Sequence, residues 1–93
     1  MSLNTTRIGL VGYGIIGQAV HQMIDQDTKN SMEVVFVHDQ FASALEGVDS
    51  QLALSDLAGF DEYGADLIVE MAHPNVTRAW GKKILEKTNY MFI

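Results

Sequence analysis

Cysteine is absent from this sequence, proline occurs once, and six basic residues stand against twelve acids. Without cysteine there is no disulfide framework, no thiolate metal site and no thiol nucleophile. A net charge of −6 disfavours a nucleic-acid partner, because phosphates demand a basic face. No apolar run approaches the roughly 20 residues of a membrane span. One stretch imitates a signal peptide: Arg7 followed by the mostly apolar residues Ile8 to Val20. It holds four glycines, each costing about 1 kcal/mol in a helix relative to Ala, and no small-residue cleavage site follows it. Repeats, low-complexity segments and linkers are also missing. These absences lead to the expectation of a soluble chain in a reducing, intracellular and cytoplasmic setting. Met1-Ser2-Leu3 has the look of a cloning remnant and carries no argument.

What is present is a chain of 93 residues with 47% apolar content. That is one domain's worth of sequence, residues 1–93, and enough to bury roughly 60–70% of its unfolded surface. Arg7 to Val11 reads as a short apolar strand ending in glycines. From Ile15 the period becomes helical, with Ile15, Ile16, Ala19, Val20, Met23 and Ile24 expected on the inward face and Gln18, His21 and Gln22 opposite. A polar stretch, Asp25 to Ser31, ends the helix. Glu33 to His38 is rich in β-branched residues and nearly continuous in apolarity, as in a strand buried on both faces of a parallel sheet. Strand, helix and strand within about 30 residues make a βαβ unit.

Asp39 to Asp66 holds seven acids and no Lys or Arg; most of it reads as solvated surface facing away from any phosphate site. Leu52-Ala53-Leu54 suits a short edge strand, and Ser55 the N-cap of a brief helix through Phe60. Asp66 to Glu70 is another buried-strand pattern. Pro74-Asn75 opens a helix to about Lys87, with Val76, Trp80, Gly81, Ile84 and Leu85 on one arc and Arg78, Lys82, Lys83 and Glu86 on the other. Tyr90 to Ile93 reads as a final strand. The alternation predicts an α/β fold, a Rossmann-type doubly wound parallel sheet of about five strands.

Gly12-Tyr13-Gly14-Ile15-Ile16-Gly17 is a G-x-G-x-x-G motif. Short glycine patterns recur by chance, but this one follows a predicted strand and opens a predicted helix, the context the dinucleotide fingerprint requires. Gly12 makes the tight turn, Gly14 lets the backbone approach a diphosphate, and Gly17 lies where helix presses on sheet. The helix's free N–H groups and positive dipole end then attract the anion without any Lys or Arg. Asp39 closes the second strand about 20 residues further on, where the fingerprint places an acid that accepts from the adenosine ribose hydroxyls. A carboxylate there repels a 2′-phosphate, so NAD is favoured, with NADP possible.

Ala72, His73 and Pro74 follow the third buried strand at the carboxyl end of the sheet, where open α/β sheets bind ligands, and are expected to border the nicotinamide ribose. Histidine is the side chain whose unperturbed pKa lies near neutrality, so His73 attracts an acid–base role. With no second catalytic group beside it, it is read instead as a loop residue lining the cofactor. His21 reads as plain surface and His38 as the end of a strand, and three dispersed histidines without i,i+4 partners make no metal site.

The segments Ile8-Gly9-Leu10-Val11-Gly12-Tyr13-Gly14-Ile15-Ile16-Gly17-Gln18, Glu33-Val34-Val35-Phe36-Val37 and Asp66-Leu67-Ile68-Val69-Glu70-Met71-Ala72-His73-Pro74 resemble the N-terminal domain of L-aspartate dehydrogenases. Gly81 with Ile84-Leu85 fits the same pattern, so the resemblance covers most of Arg7 to Ile93. Homoserine dehydrogenases and related amino-acid-pathway reductases share the layout. The resemblance implies oxidative deamination of L-aspartate with hydride transfer to NAD(P)⁺, and a homodimer. It also implies a further domain beyond Ile93 that supplies the substrate pocket and the catalytic histidine, so no catalytic residue is assigned here and an isolated residue 1–93 fragment is expected to be inactive. The competing expectations are a regulatory dinucleotide-sensing domain, which uses the same motif and acid without chemistry, and another amino-acid-pathway NAD(P)-dependent reductase such as homoserine dehydrogenase.

Overall fold

The structure, a computed structural model, describes residues 5–27, 29 and 31–93. Met1-Ser2-Leu3 lies outside that range, as do Thr28 and Asn30 in the polar stretch after the first helix. The elements in chain order are β1 (Thr6–Val11), α1 (Ile15–Asp25), β2 (Met32–His38), β3 (Ala53–Leu54), β4 (Leu67–Glu70), α2 (Pro74–Leu85) and β5 (Asn89–Phe92), with two short 3₁₀ segments at Ala42–Leu45 and Leu57–Glu62. All five strands pair in parallel, in the order β3-β2-β1-β4-β5. The chain runs outward from β1 to β3, returns past β1 to β4, and continues outward to β5. The switch point between β1 and β4 follows from that reversal.

Helices cover both faces, and the core is split accordingly. Ile8, Leu10, Val34, Val37 and Val69 point to the α1 side and meet Ile24, with Val20 packed at the margin. Val11, Phe36, Ile68 and Leu54 point to the other side and meet Ile84 of α2 together with Leu57 and Phe60 of the second 3₁₀ segment. Alternation along β1 and β4 produces this two-sided burial, as expected for strands covered on both faces. In β2 the alternation slips: Ile8 pairs with Val34 but Gly9 with Phe36. The bulge places Val35 and Phe36 in the same cluster and bends the strand locally.

Gly9 is the counterpart of that bulge. A Cβ built there would lie 2.2 Å from the ring of Phe36, which is fully buried and has no free volume to move into. Gly9→Ala is expected to destabilise the protein by about 2 kcal/mol, in the range of core overpacking. A urea midpoint equal to that of the unsubstituted protein would contradict this packing.

Three local expectations are corrected. The inward face of α1 is the line Gly17, Val20 and Ile24, whereas Ile15 is 89% exposed and Ile16, Ala19 and Met23 also face solvent. The apolar arc of this helix is wider than the strip that touches the sheet, and the missing Cβ of Gly17 sets which strip comes closest. Leu85, predicted on the buried arc of α2, is likewise exposed. The brief helix before β4 begins one residue later than Ser55: Asp56 is its N-cap, and its carboxylate accepts from the Ala58 N–H at 3.0 Å. Among the described residues no helix is long and apolar enough to cross a membrane.

Candidate functional site

The carboxyl ends of β1, β2 and β4 are tied together before they release their loops. Gly12 N–H donates to the His38 carbonyl at 2.8 Å, and Met71 N–H donates to the Val11 carbonyl at 2.8 Å. Above this floor opens a cleft of about 530 Å³, bordered by Gly12, Gly14, Asp39, Phe41, Ala72 and His73 among others. That volume lies within the range of small-molecule sites, roughly 300–1,000 Å³. The glycine turn, the acid after β2 and the loop after β4 therefore meet at the switch point, as the motif requires.

The glycines fit a cradle for a diphosphate. Gly12 has φ +95°, and a Cβ on it would stand 2.8 Å from the Ala72 nitrogen. A Cβ on Gly17 would lie 2.3 Å from the Gly12 carbonyl oxygen, so α1 rests directly on the turn. Gly14 differs, because a Cβ there would meet no protein atom within 4 Å; its missing side chain leaves open space in the cleft wall. Gly14 is also the N-cap of α1 and offers no capping side chain, so the first N–H groups of the helix remain available to an anion.

Asp39 is held by the turn it faces. One carboxylate oxygen accepts from the Tyr13 N–H at 2.7 Å and the other from the Phe41 N–H at 2.9 Å. Of the seven acids between Asp39 and Asp66, it alone borders the cleft. Phe41, beside it, is exposed although apolar.

The remaining predicted residues divide. Ala72 and His73 border the cleft. Pro74 occupies the first turn of α2 and lines a smaller cavity of about 220 Å³ on the far side of the loop, with Glu70, Thr77 and Ile93. The side chains of Ile15 and Ile16 point to solvent, leaving the start of their helix, and not their apolar groups, next to the cleft. Tyr13 contributes its N–H to Asp39 and turns its ring back onto α1. There the hydroxyl pairs with His21 Nδ1 at 2.7 Å, and His21 Nε2 lies 3.4 Å from the Asp25 carboxylate. Burial, then the Asp25 charge, pushes the Tyr13 hydroxyl above its ordinary pKa. His21, expected at the surface, is instead half-buried and braces the glycine turn.

His73 caps α2: its Nδ1 accepts from the Asn75 N–H at 3.1 Å, which places the ring proton on Nε2. This gives the residue a structural task in its exposed loop. His38, read as a strand end, also borders the cleft, with Nδ1–H donating to the Leu54 carbonyl at 2.7 Å. Glu70, read only as part of a strand, is 3% exposed and uses both carboxyl oxygens as acceptors, from the Ala72 N–H and from Thr77 Oγ1 at 2.7 Å. Its one advance signal was an acid closing an otherwise apolar strand.

A parallel sheet ordered about a central switch point, with a glycine turn and an acid facing each other across it, defines the class: a Rossmann-type dinucleotide-binding domain. A sequence model of the family described as "Homoserine dehydrogenase, NAD binding domain" matches residues 12–91. The chain belongs to this family, the NAD-binding domain of aspartate and homoserine dehydrogenase-like oxidoreductases. It is 42% identical over 87 residues to an aspartate dehydrogenase domain-containing protein of Xenopus tropicalis, covering 91% of this chain and 31% of that one. A protein of the same description from Danio rerio is 28% identical over 93 residues, covering 98% of this chain and 34% of that one. The chain thus spans about a third of the length of these curated relatives. Prephenate dehydrogenase from A. aeolicus, solved with hydroxyphenyl propionate and NAD⁺, superposes with a TM-score of 0.74 at 15% identity, over 96% of this chain and 32% of that one.

Proposed function

We propose that the cleft binds NAD(P) and that the full-length protein is an NAD(P)-dependent amino-acid dehydrogenase acting on L-aspartate. The observation that carries the reading is the meeting of Gly12, Gly14 and Asp39 at the switch point. The backbone of Gly12, Tyr13, Gly14, Ile15 and Ile16 would hold the diphosphate, with Gly17 keeping α1 pressed against the turn. Asp39 would accept from the adenosine ribose. Ala72 and His73 would border the nicotinamide ribose, with Pro74 fixing the start of α2 behind them. When bound, NAD(P)⁺ supplies a hydride acceptor for the α-carbon of the amino acid. The part of this chain is to orient that acceptor and to supply an anion site from a helix end. The preference for aspartate is supported by the description of the 42% identical relative. A substrate-binding domain outside residues 1–93, a homodimer and a cytoplasmic setting complete the proposal.

Formation of NADH by the full-length protein supplied with L-aspartate and NAD⁺ is the expected result, followed by absorbance of the reduced nicotinamide. Cofactor binding without turnover of aspartate or any other amino acid would replace the enzyme by a dinucleotide sensor.

A further inference from the structure

The carboxyl group of Glu70 is among the most buried polar groups of the chain, and the cofactor contacts above leave it without a role. Its surroundings join the end of β4, the first turn of α2 and β5. Thr77 Oγ1, one turn into α2, donates to one oxygen at 2.7 Å. The same hydroxyl is 3.2 Å from the hydroxyl of Tyr90 in β5. Burial, opposed in part by the bond to Thr77, raises the Tyr90 hydroxyl pKa above its ordinary value. The other Glu70 oxygen accepts from the Ala72 N–H. Ala72 in turn is the residue against which Gly12 lies so closely that no Cβ fits between them. Burying a carboxyl group is costly unless its bonds are good. Here those bonds lock the one loop that forms the far wall of the cleft.

We infer that Glu70 is a positioning residue for the nicotinamide half of the dinucleotide. Anchored by Thr77 and Tyr90, it holds the Ala72 amide and so sets the distance between the β4–α2 loop and the glycine turn. The inference rests on the proposed binding of NAD(P) in this cleft. The adenosine half has separate anchors: the Gly12 to His38 bond, the contact of Gly17 with the Gly12 carbonyl, and the Tyr13 to Asp39 bond. Disturbing Glu70 therefore acts on one half of the ligand and spares the other.

The test compares NADH with ADP, which lacks both the nicotinamide and the ribose that carries it, by titration of the natural full-length protein. Glu70→Ala is expected to weaken NADH about tenfold, the effect of one lost buried hydrogen bond, and to leave ADP within about twofold. Glu70→Gln is expected to restore NADH binding, since an amide can accept from Ala72 while donating to Thr77 Oγ1. Thr77→Val keeps the carboxyl group and carries the comparison if Glu70→Ala does not fold; it is expected to weaken NADH about threefold, again sparing ADP. Parallel loss of both ligands, or loss of neither, would overturn the positioning role. Failure of the unsubstituted protein to bind either ligand would overturn the dinucleotide reading, and this inference with it.

Discussion

Replacing Gly12 by alanine is expected to lower the stability of the protein by about 3 kcal/mol and to abolish NADH binding. Two costs add at this position. The backbone sits at φ +95°, a region that side-chain-bearing residues enter at an expense of roughly 1–2 kcal/mol. The new Cβ would also stand within 2.8–2.9 Å of the nitrogen, Cα and Cβ of Ala72. Most of that contact is backbone, and Ala72 is held by Glu70, so the loop cannot yield cheaply. Gly14→Ala is the contrasting substitution. Its Cβ meets nothing in the protein, and the exchange should cost no more than about 1 kcal/mol at an N-cap. Yet it fills the space proposed for the diphosphate. Chemical denaturation and NADH titration should therefore separate the two: Gly12→Ala unstable and non-binding, Gly14→Ala stable and non-binding. A Gly14→Ala protein that binds NADH normally would remove the glycine turn from the cofactor site.

Asp39→Asn is expected to shift the preference between NAD and NADP by about a hundredfold. The carboxylate is proposed to accept from the ribose hydroxyls and to repel a 2′-phosphate. Its loss turns charge-assisted hydrogen bonds into neutral ones, weakening NADH about tenfold, while relief of the like-charge contact strengthens NADPH by a similar factor. Asparagine is the informative replacement because the native side chain also accepts from Tyr13 N–H and Phe41 N–H. An amide oxygen retains one of these bonds, so the turn stays in place while the charge is removed. Titration with both reduced cofactors measures the ratio, and a ratio that does not move would refute the role given to Asp39.

The glycine turn and Asp39 are legible in the sequence because their signals are local. A strand must end, a turn must form, and the spacing to the next strand end follows from the length of one βαβ unit. The strands around them were legible for the same reason: four consecutive buried residues in β2, Val34 to Val37, leave a continuous apolar run. The orientation of α1 was not. Apolar residues occupy more than half of its circumference, and periodicity cannot tell which part touches the sheet when the closest contact is made by a glycine with no side chain. His21 was misplaced for a related reason. Its partner Tyr13 lies in the turn and not on the helix, so a helical wheel does not contain the pair.

Glu70 marks the boundary most clearly. In sequence it is one acid at the end of an apolar strand, much like Asp39 at the end of β2. Asp39 turns out to face a cleft and backbone amides, whereas Glu70 turns inward to Thr77 and to the loop bearing Ala72. By itself the sequence determined the parallel α/β architecture, the glycine turn and the place of the acid opposite it, because hydrophobic periodicity and glycine stereochemistry act over a few residues. Only the tertiary structure decided which face of α1 is buried, what braces Tyr13, and what Glu70 holds. Those outcomes depend on side chains brought together by strand order and helix packing, and no local pattern encodes the distance between segments that meet only in the folded sheet.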